Sequence, residues 1–311
     1  MPFCCDVYPG TSCPLFCRFC PRGSGREDLL MTPERFADVV RDLVVCGAER
    51  VSVSGGLEPY SEPACASACI RAAVEAGAQA WVYTNGMLPM PGAEMAHRVR
   101  ISCHGATNET FRRITRYCGP YPPLDRIRRA VAGLLARRGG RRLPQVGIGY
   151  ILTVENASEL SDAAHQWRDC GADFFDVRVP VSAKPPPRMV LRAARWLADE
   201  SAPRHLTISL SDDITGTMRR AERCRAIRRS VVIDASGRAW ACSWMAQPGM
   251  RPAWAMRGNV RTESPKAIFE RITTADPVSH CEACPPAWRR WNLAKEEEEC
   301  KPALRLSAET T

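Results

Sequence analysis

The sequence predicts an α/β protein: a partial (β/α)6 TIM-like barrel followed by a small, cysteine-rich α+β subdomain. From residue 1 to about 210, short β-rich runs alternate with helix-like segments, which is typical of parallel βα units. Beyond residue 210 the pattern changes to a hairpin signal and spaced cysteines. We therefore divide the chain into a barrel (1–210), a cysteine-rich unit (211–294) and a C-terminal tail (295–311).

Six segments are predicted as the parallel strands of the barrel. Each is short, rich in β-branched or aromatic residues, and separated from the next by a helix-like stretch. The strands are 3–8, 50–54, 79–84, 98–103, 146–152 and 173–179. The helices lie near 32–46, 62–77, 108–117, 123–138 and 156–170. Several begin at a capping residue, as in TPERFADVV, where Thr32 can accept a hydrogen bond from a free backbone N–H group.

The cysteine-rich unit is predicted to contain a helix over 216–228 and a hairpin over 229–244. In the hairpin, DASG has the composition of a tight turn between two β-rich runs. A short helix over 265–272 and the pair CEAC at 281–284 follow. Spaced cysteines, rather than apolar periodicity, organise this unit.

Composition limits where the protein works and what it binds. No apolar run approaches the ~18 residues of a membrane-spanning helix, and no signal peptide is visible, so we expect a cytoplasmic protein. In that reducing compartment, the 16 cysteines are expected as thiols for metal binding or catalysis rather than as disulfides. The net charge of +9 comes from arginines spread over helix-like segments, which predicts solvated helix faces, with an acidic ligand as the alternative. We expect neither a nucleic acid nor a membrane partner.

Three cysteines, Cys13, Cys17 and Cys20, lie close together in SCPLFCRFCP with the spacing Cys-x3-Cys-x2-Cys. A structural zinc site has four ligands, usually in two Cys-x2-Cys pairs. A [4Fe-4S] cluster held by only three thiolates instead leaves one iron open to an outside ligand. Placed directly after the first predicted strand, the triplet resembles the signature of the radical S-adenosylmethionine (radical SAM) superfamily.

The resemblance implies a mechanism and its cofactors. In that superfamily the amino and carboxylate groups of SAM bind the open iron, and an electron from the cluster cleaves SAM to a 5′-deoxyadenosyl radical. The resemblance also implies a flavodoxin- or ferredoxin-type protein as the electron donor.

The stretch SGGLEP at 54–59 follows the second strand and resembles the glycine-rich SAM motif of this superfamily. The resemblance implies that Gly55 and Gly56 allow close approach to SAM because they lack Cβ atoms. It also implies that the Glu58 carboxylate meets the ammonium group of SAM.

Three further residues match positions near SAM in the superfamily that the chain resembles. Phe19 matches an aromatic position near the adenine, Asn85 lies in a TNG turn after the third strand, and Ser102 matches a serine on the fourth strand. Strand alternation puts Ser102 and His104 on one face and Cys103 on the other. His104 is therefore a candidate substrate or cofactor contact, with a purely structural hydrogen bond as the alternative.

A second set of four cysteines comprises Cys224, Cys242, Cys281 and Cys284, with Gly237 between the first two. Taken alone, four thiolates could close a zinc site. The order also resembles the Twitch extension of radical SAM enzymes, a shortened SPASM module. That resemblance implies an auxiliary [4Fe-4S] cluster, fully ligated by protein, which could accept an electron from a substrate radical and so favours oxidation.

Three residues are candidates for the chemistry itself. Cys118, in the loop TRYCGPY, could return a hydrogen atom to a substrate radical and so produce epimerisation. Oxidation of an alcohol requires a group that removes the hydroxyl proton, and His104 and Arg178 are the candidates. The high resting pKa of an arginine makes Arg178 better suited to positioning the substrate.

The expected substrate is a small molecule. Peptide-modifying relatives usually carry a leader-binding domain before the barrel, whereas here the cysteine triplet begins at residue 13. The chain most resembles dehydrogenases and epimerases that tailor sugars and aminocyclitols in antibiotic biosynthesis, and oxidation of a carbohydrate-like alcohol is the leading hypothesis. Alternatives are epimerisation, a peptide maturase with a separate leader-binding partner, and a zinc-stabilised binding protein.

Overall fold

The structure is a computed structural model that describes residues 3–21, 26–181, 187–199, 206–211, 214, 221–279 and 288–296. Its strands are β1 (Phe3–Tyr8), β2 (Ala48–Val53), β3 (Gln79–Thr84), β4 (Arg98–Ser102), β5 (Gln145–Ile151), β6 (Phe174–Arg178), β7 (Thr207–Leu210), β8 (Ser230–Asp234), β9 (Arg238–Trp240) and β10 (Met256–Asn259). Its helices are α1 (Pro33–Val45), α2 (Pro63–Glu75), α3 (Asn108–Thr115), α4 (Pro123–Arg138), α5 (Leu160–Asp169), α6 (Arg188–Asp199), α7 (Pro265–Thr273) and α8 (288–296).

All of these strands belong to one sheet, in the order β10-β9-β8-β1-β2-β3-β4-β5-β6-β7. Strands β1 to β7 pair in parallel, and helices connect most of them, which confirms the predicted α/β class with a TIM-like core. Strand β8 continues the sheet by pairing in parallel with β1, while β9 and β10 are antiparallel additions. The sheet therefore runs across the boundary predicted near residue 210.

The alternation of side chains along β1 shows how the two faces of the sheet differ. Cys5 and Val7 are buried in the core between the sheet and its helices. Cys4, Asp6 and Tyr8 point the other way and line an interior cavity. One face of each strand thus builds the core, and the other is available for a binding site. In the described part of the chain no helix is both long enough and apolar enough to cross a membrane.

Helix α1 illustrates how sequence sets local structure in the barrel. The Thr32 hydroxyl accepts a hydrogen bond from the backbone N–H of Arg35 at 3.2 Å, which caps the first turn as predicted. The apolar residues Phe36, Val40 and Leu43 recur at helical spacing and are fully buried. The helix therefore packs against the sheet through one stripe of apolar side chains.

The six predicted barrel strands agree with β1 to β6 to within two residues at each end, and the predicted DASG hairpin is β8 and β9. Strand β7 and helix α6 were not predicted. The helix predicted over 216–228 is wrong where the structure describes it, because 221–228 contains only a short 3-10 turn at Ala226–Arg228. The reason is tertiary pairing: Cys224 forms an antiparallel bridge with Val278, and its N–H donates to that residue's carbonyl at 2.7 Å.

A buried ionic network joins the hairpin to the segment that follows the cysteine triplet. The Arg251 guanidinium contacts Glu27 at 2.6 Å and Asp234 at 3.4 Å. Arg238 contacts the same two carboxylates at 2.9 and 2.8 Å, and the Trp240 indole donates to Asp234 at 3.0 Å. Since both carboxylates are almost completely removed from water, the network firmly ties the N-terminal loop to the cysteine-rich unit.

Candidate active site

The inward faces of the strands and the loops at their carboxyl ends enclose a cavity of about 630 Å³. This is the edge at which barrel proteins collect their ligand-binding loops. The structure brings most of the predicted site residues together here. Those lining the cavity are Cys13, Cys17, Phe19, Cys20, Gly55, Gly56, Glu58, Asn85, Ser102, His104 and Arg178.

The cysteine loop, residues 12–21, is anchored to the carboxyl end of helix α3. The backbone N–H groups of Phe16 and Arg18 donate to the carbonyls of Thr115 and Ile114 at 2.7 and 3.2 Å. These carbonyls are among the last four of the helix, which have no partner within it. The helix end thus positions the loop over the cavity.

The three thiols of the loop are half-buried and line the same cavity. The Asn85 amide donates to Cys13 Sγ at 3.6 Å. Within the described ranges, no three His, Cys, Asp or Glu side chains form an arrangement that could hold a single metal ion. A four-iron cluster binds each thiolate on a different iron, so its ligands lie farther apart than those of one ion. As a donor set, three thiols fit a cluster that keeps one iron open.

Glu58 connects the two motif loops. Its Oε1 accepts hydrogen bonds from the Thr84 hydroxyl at 2.5 Å and the Tyr60 N–H at 3.3 Å, and its Oε2 accepts from the Asn85 N–H at 2.8 Å. Burial raises the pKa of Glu58 to about 7, although these hydrogen bonds favour the charged form. Glu58 therefore holds the glycine-rich loop against the TNG turn, and its remaining lone pairs can accept from one further donor.

The two glycines of the motif make close contacts, but these contacts are with the chain itself. A Cβ atom on Gly55 would lie 2.4 Å from the Leu57 carbonyl oxygen, and one on Gly56 would lie 2.4 Å from Cδ of Pro248. The sequence predicted close approach of a ligand at these positions. In the structure, tight packing within the protein already requires glycine at both.

Ser102 and His104 line the cavity, whereas Cys103 is buried in the core, as strand alternation predicted. The His104 ring packs edge-on against Phe19, with 5.0 Å between the ring centroids. Phe19 and His104 thus form one wall of the cavity next to the cysteine loop.

The hydrogen bonding of His104 argues against its predicted role as a base. Its Nδ1 accepts from the backbone N–H of Ile151 at 3.0 Å. Burial, together with the nearby charge of Arg100, lowers the pKa of His104 to about 3. A neutral imidazole that accepts at Nδ1 carries its proton on Nε2, so near neutral pH His104 can donate to a ligand but not remove a proton from it.

The cavity has a charged interior that was not predicted from the sequence and that includes Asp6, Arg50, Arg100 and Asp176. The position of Arg100 could have been predicted, because Arg100 precedes Ser102 by two residues and therefore lies on the same face of β4. Cys4 also lies here, and Arg50 donates to its Sγ at 2.8 Å. Burial raises the pKa of Cys4 to about 11, which keeps it a thiol near neutral pH.

Cys118, the predicted hydrogen donor, is exposed and is not among the residues that line the cavity. Helix α3 ends at Arg116 in a left-handed conformation with φ of 53°, and the chain turns outward. The Arg112 guanidinium donates to the carbonyls of Gly119 and Tyr121, both at 2.9 Å, which holds the loop on the outside of the helix. The structure thus places the Cys118 thiol outside this cavity, and its role as a hydrogen donor stays a prediction.

Two of the second set of cysteines, Cys224 and Cys242, line one small apolar cavity, while Cys281 and Cys284 lie outside the described residues. The Asn292 amide, on helix α8, donates to Cys224 Sγ at 3.4 Å. Its oxygen accepts from the N–H groups of the two residues after Cys224, at 2.7 and 3.0 Å. Asn292 thus fixes the Cys224 loop to the helix that follows the CEAC pair.

A parallel sheet with a three-cysteine loop at the carboxyl ends of its strands defines a class of enzyme folds that bind a cluster. Residues 7–168, more than half of the chain, match the Radical SAM superfamily, and the protein belongs to that family. Membership implies a [4Fe-4S] cluster and SAM as cofactors.

Individual proteins are similar over various lengths. The chain is 29% identical to dTDP-4-amino-4,6-dideoxy-D-glucose ammonia-lyase of Streptomyces venezuelae, over 59% of this chain and 41% of that protein. The matched region is thus less than half of the relative. SuiB of Streptococcus suis, solved with S-adenosylmethionine bound, has a TM-score of 0.66 at 14% identity over 88% of this chain and 68% of its own. The structure of anSMEcpe with AdoMet and a peptide bound has a TM-score of 0.61 at 13% identity and covers 100% of both chains.

Proposed function

We propose that this protein is a radical SAM enzyme that abstracts hydrogen from a carbohydrate-like small molecule and oxidises one of its alcohols. The observation that carries the proposal is the single cavity that the cysteine loop shares with the SAM-motif loops and a charged barrel interior. The similarity to the Streptomyces ammonia-lyase, which is named for a nucleotide-linked amino sugar, supports a sugar as the substrate.

The residues present fit the two implied cofactors. Cys13, Cys17 and Cys20 would hold the cluster, and its open iron together with SAM supplies a 5′-deoxyadenosyl radical as a hydrogen-atom acceptor. The side chains and backbone facing the SAM site would be those of Phe19, Gly55, Gly56, Glu58, Asn85 and Ser102. The Asn85 amide would also stabilise the thiolate of Cys13 through its hydrogen bond.

Oxidation of the alcohol requires the substrate to lose one hydrogen atom, one electron and one proton. Asp6 is the proton acceptor in this proposal, because it lines the cavity and burial raises its pKa, which makes it a stronger base than an exposed aspartate. Arg178, at the end of β6, would position the substrate. Cys224, Cys242, Cys281 and Cys284 would hold an auxiliary cluster, which would supply the one-electron acceptor that this oxidation needs.

The test is turnover by anaerobically reconstituted enzyme supplied with SAM, a flavodoxin- or ferredoxin-type donor, and a panel of sugars and nucleotide sugars. We expect 5′-deoxyadenosine and a product lacking two hydrogens. Asp6→Asn should lower the turnover rate more strongly than it lowers the affinity for SAM. Cys17→Ala should abolish 5′-deoxyadenosine, whereas Cys46→Ala, at the end of α1, should not. Stoichiometric zinc without iron, or full activity in Cys17→Ala, would refute the proposal.

A second candidate is epimerisation, and the position of Cys4 favours it. This thiol lines the cavity, so it could give a hydrogen atom to a substrate radical and then regain an electron and a proton from the external donor and solvent. In deuterated water the product carbon would then carry deuterium, and Cys4→Ala would abolish that label. Product without solvent deuterium excludes this candidate.

A further inference from the structure

Arg100 is a cation directed into the cavity with part of its hydrogen-bonding capacity unused. Its Nε and Nη1 atoms are buried and have no hydrogen-bond partner within the described ranges. The guanidinium carbon lies over the Tyr83 ring, 4.4 Å from the centroid, a contact that does not supply a hydrogen-bond acceptor for Nε or Nη1. Leaving such donors buried without acceptors is costly unless a ligand supplies the acceptors.

Asp176 is the carboxylate whose charge acts on Arg100, but it already has another hydrogen-bond partner. Both oxygens of Asp176 accept from Arg98, at 3.3 and 3.2 Å. Arg178 adds a second positive charge to the same part of the cavity, and burial together with this repulsion lowers the pKa of Arg100 to about 9. Arg100 is thus a cation near neutral pH, in a region with more positive charge than its carboxylates neutralise.

The backbone of β5 makes space for this side chain. A Cβ atom on Gly149 would lie 2.9 Å from Nε and 3.0 Å from Cδ of Arg100. Glycine at this position therefore leaves room for the Arg100 side chain beside the neighbouring strand. The position of the cation depends on two strands, which makes it a built feature of the barrel.

We infer that Arg100, with Arg178 beside it, is a subsite for an oxyanion carried by the substrate, either a phosphoryl group or a carboxylate. The inference rests on the proposed function, because the carboxylate of SAM is expected on the cluster iron, which leaves the interior anion to the second molecule. The unused donors on Nε and Nη1 can each give a charge-assisted hydrogen bond to an oxygen of either group. The substrate is accordingly an acidic sugar derivative rather than a polycationic one.

The test measures binding of defined probes to the reconstituted holoenzyme by calorimetry. The probes are dTDP and inorganic pyrophosphate for a phosphoryl group, and glucuronate for a carboxylate. We expect one class to bind, and its dissociation constant to rise roughly tenfold or more in Arg100→Gln, with a partial loss in Arg100→Lys. The control is Arg41→Gln, which removes a charge from the outer surface of α1 and should leave probe binding within twofold of wild type.

Gly149→Ala provides a second variant, which keeps Arg100 but displaces its side chain. This variant should weaken the binding of the same probe. If Arg100→Gln does not fold, Gly149→Ala decides by the same criterion. The inference is overturned if no probe binds, if the variants bind the probe as tightly as wild type, or if they lose affinity for SAM alone. Formation of 5′-deoxyadenosine is measured separately, so failure of the proposed radical chemistry is distinguishable from failure of the anion subsite.

Discussion

The carboxylate of Glu58 is buried, and among the residues that the structure describes it is balanced by hydrogen bonds rather than by an ion pair. Three donors, the Thr84 hydroxyl and the N–H groups of Tyr60 and Asn85, surround it. Burial outweighs them, because the pKa is raised to about 7. Glu58 thus links the arrangement of the SAM-motif loops to pH.

This shift has a definite sign. Between pH 4.5, the ordinary pKa of the group, and about pH 7, the folded protein holds a proton on Glu58 that the unfolded chain has lost. Stability from this residue is therefore fully present below pH 4.5 and is lost as the pH rises to 7. Relative to Glu58→Gln, which does not titrate, the wild-type free energy of unfolding should fall by about 3 kcal/mol across this range. Denaturant titrations at several pH values check this, and parallel curves for the two proteins would contradict it.

Among elements, the β8–β9 hairpin depends on the carboxylate of Asp234. Asp234→Asn leaves Arg238 and Arg251 with Glu27 as their remaining partner in the network, so the variant should lose about 3 kcal/mol of stability. Asp38→Asn is the matched control, because the Asp38 side chain is 54% exposed and its ion pair with Arg41 should contribute no more than about 0.5 kcal/mol. Equal losses in the two variants, measured by denaturant unfolding, would show that the buried network adds nothing special.

Helix α8 is tied to the second cysteine set through Asn292. Asn292→Ala leaves one buried and one partly buried N–H group without their acceptor and should cost about 2 kcal/mol. If Cys224 holds an auxiliary cluster, the iron content after reconstitution should also fall from about eight to about four per chain. Asn292→Asp keeps an acceptor for these N–H groups but replaces the donor to sulfur with a carboxylate oxygen, so it separates the effect on stability from the effect on Cys224. Full iron content, about eight per chain, in Asn292→Ala would show that an auxiliary cluster at Cys224 does not depend on Asn292.

Elements with clear periodicity and capping, such as β1 and α1, could be predicted from the sequence to within two residues. Strand β7 was not predicted, because TISL spans only four residues, too few for its polar/apolar alternation to stand out, and its position is set by pairing with β6. Most of the candidate site followed from motif spacing. The position of Cys118 did not, because it depends on how Arg116 turns the chain after α3. Arg100 was predictable by extending the alternation from Ser102, but its unpaired state depends on Arg98 taking Asp176.

For the molecule as a whole, β8 is the element that makes the two units one sheet. It pairs with β1 along five residue pairs, from Cys4 to Tyr8. Without it, β1 would present a row of unpaired N–H and C=O groups next to the cavity. A chain ending at residue 211 should therefore aggregate where the full chain stays monodisperse, as measured by size-exclusion chromatography. A monodisperse fragment with native circular dichroism would contradict this.

The contact between Gly56 and Pro248 has a mechanical consequence. The glycine-rich loop rests against a proline that belongs to the C-terminal half of the chain, with no space for even a methyl group between them. The segment around Pro248 therefore limits how far the glycine-rich loop can move in its direction. Any rearrangement that shifts Pro248 must release or press this loop, so the two halves of the protein cannot change shape independently at this point.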